Sequence, residues 1–280
     1  MSKSITLYGR LFISLNICTV TGLHIGGYES VQAVGDVDKL VVRDPLTRYP
    51  YIPGSSLRGK MRSQMEKFLG LDMDWPIHRS YIHACEVRRG KNEPEDQWQA
   101  RYRQYQECPV CQVFGVPATE YTLPTRLLVR DVHLPPEEAR RLLSGDTILY
   151  TEYKTEVAID RVTSQASPRT MERVPAGVCF GPGELVFNVY FPQDIDFARY
   201  VFQALQLVQD DYLGGQGSRG YGRVAFRDIR LEVRPRHAYH QPVAFDGYPE
   251  GQEKFASPDQ VLAHWDAVAQ WLRDTLQMTA

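Results

Sequence analysis

Several things are scarce in this sequence, and each absence narrows the field. No stretch of its 280 residues approaches the ~20 apolar residues needed to cross a membrane. The N-terminus lacks the basic-then-apolar pattern of an export signal, so a cytoplasmic protein with no membrane partner is expected. Cysteines are few and odd in number: Cys18, Cys85, Cys108, Cys111 and Cys179. Such a set argues against a disulfide framework. Positive charge is not in excess either, with 32 Lys and Arg against 34 Asp and Glu. That balance fits a histone-like polyanion binder poorly. Disorder is excluded, because 43% of the residues are hydrophobic and only 24% are charged.

What is present is uneven. Residues 244–280 carry six acids and two bases. The body before them is slightly basic, and its bases are clustered. Gly54 to Phe68 holds Arg58, Lys60, Arg62 and Lys67 against Glu66 alone. Gly217 to Arg227 holds Arg219, Arg223 and Arg227 with no acid. Either cluster alone reads as a solvated face; two on a near-neutral body suit a groove for nucleic acid.

The run from Gly35 to Arg62 organises the chain. Asp36 and Asp38 come first, then a strand-like Leu40 to Val42 and a Pro-rich turn. A helix then opens at Ser55 or Ser56 and presents Arg58, Lys60 and Arg62. Free N–H groups and hydroxyls at a helix start, backed by cations, suit phosphate. A carboxylate beside a bound phosphodiester is costly unless it holds a metal or moves a proton. The same helix sets Leu57, Met61, Met65 and Phe68 toward a core, and Gly70 ends it.

Residues 70–120 are polar and contain His83-x-Cys85 and Cys108-x-x-Cys111. Two thiolates from a C-x-x-C knuckle and a remote H-x-C pair complete a tetrahedral Cys₃His set. A structural Zn²⁺ held by His83, Cys85, Cys108 and Cys111 is expected. It would close an insertion too polar to build a core.

Residues 151–182 lack apolar periodicity and mix Lys154, Arg161, Arg169 and Arg173 with acids. A long segment of this kind inside a folded domain reads as an extended arm that docks on something. The loop from Asp211 to Arg223 interleaves five glycines with Arg219, Tyr221 and Arg223. Gly215 and Gly217 would offer backbone, and the cations and the ring would offer phosphate and base contacts. His24 follows a strand as Thr21-Gly22-Leu23-His24; it is catalytic or held by structural hydrogen bonds. At the C-terminus, Ser257, Pro258 and Gln260 start an amphipathic helix behind a linker over residues 235–256. That helix packs on the body or on a neighbouring subunit.

With the insertions set aside, alternating strands at residues 5–17, 125–134, 185–191 and 224–234 bracket two helices. Strand, helix, strand, strand, helix, strand implies an α+β, ferredoxin-like (RRM-like) core. Residues 1–234 form it, carrying the 70–120 finger and the 151–182 arm. Residues 235–280 are a linker and an acidic helix.

The segments TGLHIGG, VGDVD, VRDP, PYIPGSSLRGKMR, AIDR, ASPR and DYLGGQGSRGYGRVAF, in this order, resemble the backbone subunit of type III-A (Csm-type) CRISPR effector complexes. That subunit belongs to the RAMP superfamily. The resemblance covers roughly residues 5–230. It implies that copies stack along a guide RNA together with other Csm-type subunits. It places Ser55, Ser56, Arg58, Lys60 and Arg62 on the guide backbone, with Gly215, Gly217, Arg219, Tyr221 and Arg223 beside them. The arm, with Lys154, Arg161 and Arg169, becomes a thumb hairpin wedged into the guide–target duplex. Asp38 matches the catalytic aspartate, with Asp36 one step away. Complementary target RNA would be cut at regular intervals by attack of its own 2′-hydroxyl, with Asp38 as base or as ligand of Mg²⁺ or another divalent ion. Three rivals keep parts of this reading: a non-catalytic scaffold in the same filament, a stand-alone repeat-RNA nuclease acting through His24, and a zinc-stabilised RNA-binding module outside any CRISPR system.

Overall fold

Period-two alternation near the N-terminus builds the centre of the molecule. The computed structural model describes residues 4–26, 37–117, 121–145, 147 and 149–278. Strand β1 (Gly9–Thr19) buries Leu11, Ile13, Leu15 and Ile17, each at most 1% exposed, while Arg10, Ser14 and Asn16 face outward. In chain order follow β2 (Val37–Lys39), β3 (Tyr51–Ile52), α1 (Gly54–Phe68), β4 (Trp75–Ile77), β5 (Ser80–Ile82), α2 (Glu95–Glu107) and α3 (Pro109–Phe114). Then come β6 (Leu127–Val129), β7 (Val132–His133), α4 (Pro136–Leu143), β8 (Glu152–Ile159), β9 (Ala166–Arg173), β10 (Cys179–Val189) and α5 (Asp194–Asp210). The chain closes with β11 (Val224–Pro235), β12 (Val243–Ala244), α6 (Pro258–Ala263) and α7 (Trp265–Leu276).

The fold is mixed α/β. Five strands form the main sheet in the order β12-β11-β1-β10-β6, every neighbouring pair antiparallel. Apart from the short edge strand β12, this is the order fourth, first, third, second of the strand–helix–strand–strand–helix–strand reading. Helices α1 and α5 pack against each other; α1 meets β6, and α5 meets β10 and β11. Leu57, Met61 and Met65 of α1 and Val201, Phe202 and Leu205 of α5 are fully buried. Each such side chain stabilises the fold by about 1.5–3 kcal/mol. Phe68, placed on the same stripe by its spacing, is 55% exposed at the last position of the helix.

Helix α1 begins one residue before the serines, at Gly54, and neither hydroxyl caps it. The Gly54 N–H instead donates to Asp131 Oδ1 at 2.7 Å, so a carboxylate from another segment occupies the positive end of the helix. Gly70 follows the helix at φ +63°, the left-handed position that favours glycine.

The 151–182 segment divides in two. Its first part is an antiparallel hairpin of β8 and β9, with Val162 at the tip 93% exposed; its last residues already belong to β10. The polar insertion is less coreless than its composition implies. Tyr105, Val110, Val113 and Phe114 are buried, and α3 packs on α1 and α5.

One disulfide is present, contrary to the reading of the odd cysteine count. Cys18 on β1 lies opposite Cys179 on β10, and the two are bonded across the sheet with Cα atoms 4.0 Å apart. Strand register brings together residues 161 positions apart, which no count of cysteines reveals.

The C-terminal helix breaks at His264 into α6 and α7. Ser257 Oγ accepts the Gln260 N–H at 3.4 Å, and Gln260 Oε1 accepts the Ala256 N–H at 2.6 Å. Both helices pack on α5 and β11, which settles their place on the body. The segment before them is not a free tether: Val243 pairs with Val233, Phe255 bridges to Ile229, and Phe245 and Phe255 are buried. No helix among the described residues is long and apolar enough to cross a membrane.

Candidate nucleic-acid interface and metal cluster

The finger gathers its four expected ligands. The donor atoms of His83, Cys85, Cys108 and Cys111 all lie within 4.8 Å of one another. His83 Nε2 is 3.5 Å from both Cys85 Sγ and Cys108 Sγ, and the Cys85 N–H donates to Cys111 Sγ at 3.3 Å. Pro109 opens α3 between the two cysteines of the knuckle, so one helical turn brings Cys111 back beside Cys108. His83 Nδ1 lies 2.9 Å from the Asp72 carbonyl, which fixes the ring and aims Nε2 at the thiols. Hydrogen bonding from Cys111 and Cys85 lowers the pKa of Cys108, and the same crowding raises that of Cys111. Hydrogen bonds to Cys108 and Cys85 raise His83 to about 10. A tetrahedral zinc site with ~2.3 Å thiolate arms has ligand atoms about 3.8 Å apart, so the donor set fits such an ion. The four residues form a cluster able to hold a metal.

Arg62 fastens this cluster to α1. Its guanidinium donates to His83 O at 2.5 Å, Gly115 O at 2.9 Å and Glu66 Oε1 at 2.8 Å. Glu66 Oε1 also accepts the His83 N–H at 3.1 Å. Arg58 donates to the carbonyl of Phe114, and burial is the first cause of its lowered pKa, with neighbouring Arg62 adding to it. Lys60 Nζ pairs with Asp211 at 2.7 Å and lies 3.5 Å from the centre of the Tyr212 ring. Ser55 is exposed and Ser56 half-buried. The helix therefore uses most of its charge inward, on the finger and on the start of the glycine loop.

The glycine loop, the thumb-like hairpin and β2 meet on one side. The strand β2 that contains Asp38 runs parallel to β9, with Val37 opposite Thr170 and Lys39 opposite Met171. Asp36 lies outside the described residues. The Gly215 N–H donates to His24 O at 2.8 Å. Gly214 has φ +78°, and a Cβ there would fall 2.3 Å from His24 O, so this approach requires glycine. Arg219 pairs with Glu156 on β8 at 3.1 Å, and Lys154 lies 3.6 Å from the same carboxylate. Gly217 is half-buried beside them.

Two site expectations change. Tyr221 is 1% exposed, and Lys154 and Arg173 lie 4.8 and 4.9 Å from its ring centre. It supports cations from below and presents no open face on which a base could stack. His24 is 4% exposed with Nδ1 2.7 Å from Glu172 O, the structural rather than the catalytic of its two readings. By contrast, Arg161, Arg169 and Arg223 are exposed and form no ion pair with another described residue.

Sequence reasoning passed over Arg43, Thr151 and Glu172. Glu172 is 1% exposed, yet its carboxylate accepts from Val41 N–H and from Thr151 Oγ1, each at 2.6 Å, and pairs with Arg43. In the sequence it is one of many alternating charges in the arm; only its apolar neighbours Met171 and Val174 hint at burial.

The RAMP superfamily model matches residues 16–225. The chain is 36% identical over 241 residues to the CRISPR system Cms endoribonuclease Csm3 of Methanocaldococcus jannaschii, covering 85% of this chain and 86% of that one. It is 33% identical over 242 residues to the Csm3 of the same description from Mycobacterium tuberculosis, covering 81% of this chain and 91% of that one. Among solved structures it is similar to a chain of the Csm3–Csm4 subcomplex of the type III-A CRISPR-Cas interference complex, with TM-score 0.56, 27% identity and coverage of 94% and 97%. Its fold is also that of Methanopyrus kandleri Csm3, with TM-score 0.63, 22% identity and coverage of 95% and 98%. The chain therefore belongs to the RAMP superfamily and, within it, to the Csm3-type backbone subunits of type III-A CRISPR complexes.

Proposed function

We propose that this chain is a target-RNA endoribonuclease acting as the repeated guide-RNA-binding backbone subunit of a type III-A effector. Residues 1–234 are a ferredoxin-like RNA-binding core, the finger is closed by zinc, the β8–β9 hairpin is the thumb, and residues 235–280 buttress the body. Exposed Arg161 and Arg169 of the thumb, together with Arg219 and Arg223 of the glycine loop, contact RNA phosphates. Ser55, Ser56 and Lys60 border the same track.

The thumb displaces a target nucleotide, so that its 2′-oxygen lines up with the adjacent phosphorus. That oxygen forms a new P–O bond as the bond to the next 5′-oxygen breaks, leaving a 2′,3′-cyclic phosphate, and the departing 5′-oxygen takes a proton from solvent and leaves as a 5′-hydroxyl. Asp38 takes the 2′-hydroxyl proton. A divalent ion, when bound there, supplies neutralising charge for the phosphoryl oxygens. The RNA brings its own nucleophile, so DNA resists, and base pairing to the guide supplies the sequence choice.

One observation carries this reading: the Asp38 strand is paired to one thumb strand while the glycine loop is ion-paired to the other. Relatives that share about a third of its residues are named endoribonucleases. The test is the complex assembled with its genomic neighbours. Wild type cuts complementary RNA at regular intervals; Asp38→Ala binds the same RNA and cuts about 10²–10⁴-fold more slowly. An Asp38→Ala complex that cuts at the wild-type rate would reject Asp38 as the catalytic residue.

A further inference from the structure

We infer that Glu172 is a positioning residue for the cleavage centre: its buried carboxylate clamps the chain leaving β2 to the root of the thumb. The inference rests on the reading of Asp38 given above, and it concerns what holds the Asp38 strand in place.

Strand β2 has three residues, and its pairing with β9 is parallel, with an irregularity between Val37 and Lys39. So short a parallel ladder does not fix its own register. Glu172 continues the attachment with a side chain. One carboxylate oxygen accepts the backbone N–H of Val41, two residues beyond β2, at 2.6 Å. The other accepts Thr151 Oγ1, just before β8, at 2.6 Å, and pairs with the Arg43 guanidinium. Arg43 in turn donates to Leu149 O at 2.7 Å, Arg48 O at 3.1 Å and Thr151 Oγ1 at 3.1 Å. On the main-chain side, Glu172 O faces His24 Nδ1 at 2.7 Å, and His24 O holds the glycine loop through Gly215. One residue thus joins the segment after β1, the segment after β2, the entrance to the thumb and, through His24, the glycine loop.

A hairpin root needs none of this for its own stability. A buried carboxylate costs free energy unless its partners are well placed, and an apolar residue of similar volume would pack there at less cost. The carboxylate's donors come from segments far apart in the chain, which is what a device that sets relative position requires. The side chain is buried and its carboxylate is taken up by Val41, Thr151 and Arg43, so the expected signature is a slower chemical step with RNA binding intact.

The experiment uses the assembled complex with Glu172→Gln, Arg43→Met, their double mutant, Thr151→Val and Asp38→Ala. Single-turnover cleavage at saturating target, target-RNA affinity and amide exchange over residues 37–43 are measured. Glu172→Gln is expected to cut about 10–100-fold more slowly, the range for removing a partner that orients a site. Affinity stays at the wild-type value, and exchange accelerates over 37–43 but not in β1, β10 or β11. The double mutant cuts no more slowly than the worse single one, since both break the same clamp. Wild-type cleavage with undisturbed exchange in Glu172→Gln, or losses that multiply in the double mutant, would overturn the clamp. Should Glu172→Gln fail to assemble, Thr151→Val decides: faster exchange over 37–43 with slower cutting supports the clamp, and wild-type values for both reject it. The Asp38→Ala arm separates the two ideas. An inactive Asp38→Ala beside a fully active Glu172→Gln sinks only the clamp, whereas a fully active Asp38→Ala sinks the catalytic reading beneath it.

Discussion

Helix α1 and the outer part of the β8–β9 hairpin both carry cations that a reading for RNA would use, and they hold them in opposite ways. On α1, Arg62 is tied to His83, Gly115 and Glu66, Arg58 to Phe114, and Lys60 to Asp211. On the thumb, Arg161 and Arg169 stand exposed with no described acid in ion-pair range. Every residue of the hairpin from 157 to 169 is exposed, so both strands are solvated well before the tip. A basic cluster in sequence is therefore two different objects. Along a buried helix it is an anchor for other parts of the chain, and on a projecting hairpin it is a free electrostatic surface. The guanidiniums of α1 place the finger, while Arg161 and Arg169 of the hairpin stay unpaired among the described residues.

The largest test of this contrast removes what α1 anchors. In Cys108→Ser, zinc analysis should fall from one ion per chain to none, and protection over residues 71–117 should be lost. Structural zinc contributes on the order of 10 kcal/mol in isolated zinc-finger peptides, so the finger should melt while the sheet stays folded. A zinc-free wild type, or a variant as stable as wild type, would break the comparison at its root. Next in size is Arg62→Met, which leaves the buried Glu66 carboxylate without its cation. Denaturant titration should show a loss of about 3 kcal/mol. Little change there would mean that the helix charges are as free as those of the thumb. The smallest structural effect belongs to Arg161→Ala with Arg169→Ala. Melting should not move, but guide–target affinity should weaken, and the slope of log K against log salt should flatten by about 0.7 for each phosphate that the thumb no longer neutralises. A melting shift without a change of slope would reverse the assignment.

Much of this was legible in the residues. The alternation of Leu11, Ile13, Leu15 and Ile17 specifies a half-buried strand wherever it lies, because period two is local. The spacing of Leu57, Met61 and Met65 specifies a helix face for the same reason. The four members of the His/Cys cluster were also readable, since a C-x-x-C knuckle needs only one turn of chain to converge and an H-x-C pair only two residues. The partners of the long polar side chains were not. Arg62 could face solvent, RNA or carbonyls, and nothing within a few residues of it decides which. Tyr221 sits among glycines and arginines, a setting that implies exposure, yet it is buried under two cations supplied by the thumb.

The sequence by itself determined the local periods, the Ser257 cap, the His and Cys residues that cluster and the family, because each depends on residues close together in the chain or on ordered motifs. Tertiary structure alone decided that Cys18 meets Cys179, that the C-terminal helices fold back on the body, and that Glu172 sits buried among Val41, Thr151 and Arg43. These are questions of sheet register and of which distant donors surround a buried charge. Their answers depend on the packing of the whole chain, and no short stretch of it contains them.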